Sequence, residues 1–384
     1  MNGSKHQGWL TDMATFDASN DIPRLMQCGA SRSMPGFTPP GMEQSDDAQE
    51  GTAAHWLASQ ILTGQCADPS EWVDRKAPNG VYIDADMVDS VTYYTDQIAT
   101  RPKARWIETT MSITAFNELT IVARPDVISD DEKDRNRRVY IDEFKYGWRL
   151  VEPEMNWSMI AQATAFSATR SFDLDTWFEF RVHQPRPYHP LGKTRSWVIS
   201  AAHFIDLRNH LFTQLLTVTD ELKTGPHCYK CPARSNCPAL RDAVMQSFDV
   251  VETIKPDKLD VSELSYMMDA LTKFEHLLKD YKDAIAERIT HEISNGQIIR
   301  NYRIARREGS LDWLPGIDAS VLRLLAPPDK AVSKEKPITP KQAMKFIPEM
   351  LVNSLSERKP GGSSLVRSDT NQTVMQLFGP IGDK

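Results

Sequence analysis

Three of the chain's five cysteines fall within ten residues: Cys228, Cys231 and Cys237, spaced C-x2-C-x5-C in CYKCPARSNCP. This cluster restricts the fold more than any other feature of the sequence. Thiols so close together in a Cys-poor chain of 384 residues are most economically read as ligands to one metal centre. Pro232 and Pro238 each follow a cysteine and stiffen the local turns. A tetrahedral ion or a cubane needs a fourth ligand, and Cys28, Cys66 and His227 are the candidates. An odd count excludes a fully paired disulfide framework within the chain. If Cys28 completes the set, the centre ties residue 28 to residue 228. Closing so long a loop removes roughly 5 kcal/mol of unfolded-chain entropy and makes the centre a structural clasp.

The hydrophobic pattern indicates an α+β chain. Residues 1–49 read as irregular, and residues 50–64 and 86–100 as helices. From 106 the runs WIETTMSITAF, LTIVARPDVIS and RRVYIDEFKYG are rich in β-branched and aromatic residues and predict a three-stranded meander. A helix at 154–170, strands in WFEFRVHQPR and TRSWVISAA, and a helix at 203–224 follow. Residues 260–295 predict one long amphipathic helix that packs on its own domain, opened by an Asp260/Glu263 capping box and ended at Asn295-Gly296. The expected division is an N-terminal segment (1–49), a core (50–225), the cysteine cluster (226–245), a helical extension (246–327) and a flexible basic tail (328–384) with one helix near 340–353.

The second and third strand runs carry a possible reactive site. Glu143 and Lys145 alternate with Phe144 and so project to one face, while Asp142 faces the other way. An antiparallel pairing across the charged turn at 130–138 brings Asp126 beside Glu143. Two adjacent carboxylates repel, and a hard divalent cation offsets that repulsion. With Lys145 nearby, the implied chemistry is metal-assisted phosphodiester hydrolysis. His55, on the first helix, is a further metal-ligand candidate, and Gln162, on the helix after Glu-x-Lys, can hold a phosphate or a water. Read as ordinary packing, these residues are a surface hairpin with one ion pair, a helix histidine and a helix glutamine.

Taken in order, the residues resemble RecB-like nucleases of the PD-(D/E)XK superfamily, in the iron–sulfur branch that includes AddB, the CRISPR-adaptation nucleases and phage-encoded members. Gly51 to His55 matches the Gly-x-x-x-His motif, Asp126 the metal-binding aspartate, and Glu143, Lys145 and Gly147 the (D/E)-x-K motif with its following glycine. Gln162 with Phe166 matches Gln-x-x-x-Tyr, although Phe166 lacks the hydroxyl. The resemblance covers about residues 25–240, and NYRIARREGSLDW (301–313) and KPITPKQAMKFI (336–347) resemble phage members as well. It implies a restriction-endonuclease-like core: a mixed sheet flanked by helices, with a helical C-terminal extension. It also implies one or two Mg²⁺ or Mn²⁺ ions on His55, Asp126, Glu143 and the Phe144 carbonyl, Lys145 positioning the water, and Gln162 supporting the substrate. The same resemblance implies that Cys28 joins Cys228, Cys231 and Cys237 around a 4Fe-4S cluster, with zinc as the alternative metal. Tyr146 and Trp148 either stack a base or pack in the sheet. The implied activity is a DNA exonuclease in phage replication or recombination, acting with a single-strand-binding or annealing protein. The competing expectation is a non-catalytic DNA- or protein-binding module around a structural metal site.

The net charge of −7 argues against a generic nucleic-acid coat, which is usually strongly basic. The charge is uneven: residues 301–384 hold 13 Lys+Arg against 9 Asp+Glu, so the excess of acid lies in the body. Part of that acid is the candidate catalytic carboxylate. No apolar run is long enough for a membrane span, and MNGSKHQGWL lacks a signal-peptide core, so a soluble cytoplasmic protein without membrane partners is expected.

Overall fold

The computed structural model describes residues 14–36, 46–102, 105–116, 119–130, 137–217, 219–306, 311–314, 316–327, 330–333, 336–358 and 363–367. The chain divides into two units, Met1–Tyr281 and Lys282–Lys384.

The first unit is α+β, with mixed sheets flanked by helices. In chain order it holds β1 (Ala14–Asp17), α1 (Ile22–Leu25), α2 (Asp46–Leu62), α3 (Ala85–Ala99), β2 (Arg105–Ile107), β3 (Met111–Ala115), β4 (Leu119–Ala123), β5 (Val127–Asp130) and β6 (Arg138–Phe144). Then come α4 (Trp157–Phe166), β7 (Trp177–His183), β8 (Thr194–Ser200), α5 (Ala201–Leu216) and α6 (Pro238–Thr253). The helix α7 (Val261–Ser294) carries the division between the units.

The expected meander is instead five strands shared between two sheets. Glu108 and Phe116 adopt positive φ (47° and 56°) and Pro125 interrupts the second run, so each long run breaks. The main sheet has the order β2-β5-β6-β7-β8, and β3 and β4 join β1 in a second sheet of order β1-β4-β3. The N-terminal segment is therefore not wholly irregular: β1 pairs in parallel with β4. Residues 131–136 of the charged turn lie outside the described residues. On either side of them β5 and β6 pair antiparallel, with Val127 opposite Asp142.

β6 and β7 are parallel neighbours, and parallel strands need a crossover, which α4 supplies. Every residue of α4 from Met159 to Phe166 is buried. The helix packs against β3 and β4 of one sheet and β6 of the other. Ala161, Ala163 and Ala165 leave room for that close approach, and no face of this stretch is polar enough for water. On one side of β6 and β7, Val139, Ile141, Phe178, Phe180 and Val182 build a core with α4 and α5. On the other side, Phe144 joins a second core with Leu57 of α2 and Val91 and Tyr94 of α3. The Phe144 and Tyr94 rings stack with centroids 4.8 Å apart.

α5 ends at Leu216, short of the expected 224. The capping box at the start of α7 is present: the Asp260 N–H donates to Glu263 Oε2 (2.9 Å) and the Glu263 N–H to Asp260 Oδ1 (2.8 Å). Gly296, at φ 85°, terminates that helix. Its apolar seam is only partly covered, since Leu264, Leu278 and Ile285 are exposed. Among the described residues no helix is long and apolar enough to cross a membrane.

In the second unit β9 (Tyr302–Arg306) pairs with β14 (Ser363–Arg367), β10 (Leu311–Trp313) with β13 (Ser356–Arg358), and β11 (Val332–Ser333) with β12 (Lys336–Pro337). Residues 307–310 of the 301–313 motif lie outside the described residues. Three short helices accompany the strands: α8 (Ala319–Leu325), α9 (Pro340–Ala343) and α10 (Glu349–Ser354). The last two replace the single helix expected near 340–353. The segment expected to be a flexible tail instead supplies Ala331, Ile338, Ala343, Ile347 and Val352 to a small buried core with Leu322. The Trp313 indole N–H donates to the Ile338 carbonyl at 2.7 Å.

Ala163→Leu tests the placement of α4. An enlarged side chain in so close a packing should cost about 1–3 kcal/mol, read as a lower unfolding midpoint by circular dichroism. An unchanged midpoint would show that α4 is not wedged between two sheets.

Candidate metal centre

The site lies at the ends of β2, β5 and β6 and draws side chains from both faces of the main sheet. Asp126 immediately precedes β5, and its two oxygens do different work. Oδ1 lies 3.1 Å from His55 Nδ1 on α2, and Oδ2 accepts the Phe144 N–H at 2.6 Å. The Asp126 carbonyl accepts the Glu108 N–H at 3.0 Å. Glu108 Oε1 lies 3.9 Å from the same His55 nitrogen, and its Oε2 takes a 2.9 Å ion pair from Arg124. Ligand atoms of His55, Glu108 and Asp126 all fall within 4.8 Å of one another, which suits a single hard cation.

The resemblance did not include Glu108. It sits one residue beyond β2, whose Ile107 pairs with Val127, so antiparallel register sets Glu108 across from Asp126. Reading 106–116 as one strand hid that register. The residue is held in the left-handed region, where a non-glycine costs on the order of 1 kcal/mol and persists only when its surroundings fix it.

Glu143 and Lys145 share a face as expected, with Lys145 Nζ 2.5 Å from Glu143 Oε1. Gln162 of α4 donates to Glu143 Oε2 at 3.0 Å. The Gln162 Oε1 atom is buried and accepts no hydrogen bond from the described residues. Glu143 is not part of the tight three-residue set; it is held by Lys145 and Gln162 instead. Phe144 contributes its N–H to Asp126 and its ring to the core. Asp142 faces away, as expected, and is fully buried with its Oδ1 2.7 Å from His183 Nε2.

The charges tune one another. Burial alone would lower the His55 pKa, but the Asp126 charge and hydrogen bond outweigh it, and the net shift is upward. Burial would raise Asp126, but His55, Lys145 and the Phe144 N–H hold it below the usual carboxylate range. Burial also opposes the Lys145 ammonium, which Glu143 and Asp126 nevertheless stabilise. Glu108 is shifted up, first by burial and then by Asp126.

The cysteines form a second assembly. Cys28, Cys228, Cys231 and Cys237 line one cavity, and Cys66 is not part of its wall. Cys28 follows α1, Cys228 lies in the 3-10 turn Pro226–Lys230, and Cys237 caps α6. The N-terminal segment meets this loop closely: a β-carbon at Gly36 would lie 2.9 Å from that of Pro232. The Lys223 N–H donates to Cys28 Sγ at 3.4 Å, and backbone hydrogen bonds at Gly225 and Ala233 favour the thiolate forms of Cys228 and Cys231. Burial has the larger effect and pushes the Cys228 thiol up to about 11. Both His227 ring nitrogens are engaged, Nδ1 with Gln27 and Nε2 with the Lys223 carbonyl. Among the described residues no three of the sulfurs approach within 4.8 Å of one another.

Residues 18–313 match the family model described as a protein of unknown function, DUF2800. The chain belongs to the DUF2800 family. The DUF2800 match spans His55, Glu108, Asp126, Glu143, Lys145, Gln162 and all four cavity cysteines. No curated protein matches the chain. Solved structures similar to this DUF2800 chain include SSO0001, at 11% identity and a TM-score of 0.26, over 60% of this chain and 89% of that one. Another is a candidate exonuclease from Eubacterium rectale, at 8% identity and a TM-score of 0.26, over 46% of this chain and 65% of that one.

A divalent cation must displace any proton on His55. Because the His55 pKa is raised, the protonated form persists above the ordinary value of 6.5. Mn²⁺ affinity, measured by calorimetry from pH 6 to 8.5, should therefore strengthen as pH rises and level off once His55 is neutral, by up to about tenfold per pH unit. His55→Gln should flatten this dependence, and Glu108→Gln should weaken binding at every pH. A wild-type affinity that does not vary with pH would exclude His55 as a ligand.

Proposed function

We propose that this protein is a divalent-metal-dependent deoxyribonuclease. The observation that carries the reading is the convergence of His55, Glu108 and Asp126 beside the Glu143–Lys145 pair. Carboxylates and a neutral imidazole fit Mg²⁺ or Mn²⁺, and such an ion supplies Lewis acidity to the phosphodiester. Asp126 orients His55 and, through the Phe144 N–H, sets the end of β6. Lys145 projects a cation to which a water or a phosphoryl oxygen can hydrogen-bond as charge develops. Gln162 fixes Glu143 through its amide nitrogen.

The finer reading rests on the motif order: an exonuclease of the RecB-like PD-(D/E)XK type, trimming phage DNA ends in the host cytoplasm. A phage single-strand-binding or annealing protein is its natural companion. For the cysteine site, the motif order favours an iron–sulfur cluster, with zinc as the alternative metal. Backbone N–H donors to the sulfurs suit either metal. The residues joined across 28 and 228 make the cluster a clasp on the nuclease unit.

End-labelled single- and double-stranded DNA with Mg²⁺ or Mn²⁺ tests the activity. Wild type should degrade DNA, and Lys145→Ala should lose at least about a hundredfold in rate. Inactivity of wild type with every metal and substrate, or equal activity of the two proteins, would overturn the reading. Separately, Cys28→Ser should lower the iron content of anaerobically purified protein and its unfolding midpoint, whereas Cys66→Ser should leave the iron content unchanged. The opposite pattern would remove Cys28 from the ligand set.

A further inference from the structure

Beyond β6 the chain displays a line of aromatic rings and arginines that leads from Lys145 to the cysteine loop. Tyr146 is buried and belongs to the second core. Trp148, three residues after Lys145, is 58% exposed, and Tyr229, between Cys228 and Cys231, is 43% exposed. The Arg186 guanidinium carbon lies 4.2 Å from the Tyr146 ring centroid and 4.6 Å from that of Trp148. The Arg149 guanidinium lies over Tyr229 at 5.0 Å.

The turn that carries Trp148 and Arg149 is fixed from beneath. Gln184 is fully buried, and its amide nitrogen donates to the Gly147 and Arg149 carbonyls, each at 2.8 Å. Its oxygen accepts from the Val151 N–H at 3.2 Å and from Arg195 at 2.9 Å. Arg195 also donates to the Val151 carbonyl at 2.6 Å. All four hydrogen-bonding positions of a buried amide thus hold one exposed turn in one shape. A rigid platform loses little conformational freedom when a ligand settles on it.

Arg186 is neutralised by Glu50, 3.0 Å away. Among the described residues no carboxylate lies within ion-pair distance of exposed Arg149. The surface therefore offers two accessible π-faces and one uncompensated cation. That chemistry suits unpaired bases stacking on rings while a phosphate meets the arginine. A duplex does not suit it, because its bases are already stacked on one another.

We infer that Trp148, Arg149 and Tyr229 form a track for single-stranded DNA leading away from the metal centre. This assignment rests on the nuclease reading and narrows its substrate to an unpaired strand or tail. Tyr146 is the buried support of the track, not a stacking surface.

The test is fluorescence anisotropy with labelled oligo(dT) and a duplex of equal length, in the full-length Lys145→Ala background with Ca²⁺ in place of Mg²⁺. Oligo(dT) should bind more tightly than the duplex. Trp148→Ala and Tyr229→Ala should each weaken oligo(dT) binding about tenfold, while duplex binding changes less than twofold. Trp148→Phe should retain most of the affinity. Arg149→Ala should reduce the slope of log K against log salt by about 0.7. Iron content measured on the Tyr229 variant guards against damage to the cysteine loop. No binding to oligo(dT), equal losses on both DNAs, or no loss in the Trp148→Ala protein would overturn the track. Failure of the nuclease reading looks different: wild type would cleave nothing, yet the Trp148-dependent preference for single strands would remain.

Discussion

A single carboxylate connects the elements of the site. Asp126 reaches α2 through His55, β6 through the Phe144 N–H and the end of β2 through its own carbonyl. Each contact belongs to a different part of the fold, so the position of one side chain sets the spacing of the others. The arrangement also concentrates charge in a half-buried pocket. Asp126 stabilises the charged forms of His55 and Lys145, and both in turn hold Asp126 ionised. A divalent ion among the same oxygens would replace the imidazolium as the main positive charge facing Asp126.

Behind the face that carries Glu143, the sheet holds a buried polar layer. Asp142 meets His183, whose other nitrogen meets Thr194 Oγ1 at 3.0 Å, and that hydroxyl in turn meets Tyr93 at 2.9 Å. Arg181 Nε lies 3.8 Å from Asp142 Oδ1. The Lys145 N–H donates to the His183 carbonyl, so the strand that carries this layer also fixes the backbone at Lys145. Side chains that alternate along β6 thus serve two purposes: Glu143 and Lys145 face the site, while Asp142 anchors the strand from behind.

Much of this was legible in the sequence because it follows from short-range periodicity. The alternation in YIDEFKY placed Glu143 and Lys145 together and Asp142 opposite, and three- and four-residue steps located α2, α3, α4 and α7 within a few residues. The features missed depend on pairing between distant segments. Ala14–Asp17 looks irregular because four residues carry no period, yet it completes a sheet by lying parallel to β4. Glu108 has no motif of its own, and only the β2–β5 register brings it to Asp126. The C-terminal segment is Pro-, Lys- and Ser-rich, which hides an apolar set scattered widely along the chain.

The wide separation of Cys28 from Cys228 has a consequence for biosynthesis. At about 5–20 residues per second, roughly 10–40 s pass between emergence of Cys28 and completion of the loop at Cys237. Over that interval the N-terminal strand can find β4, but the first thiol has no companions. A metal held by these thiols as proposed would therefore be recruited by sheets that had already largely formed.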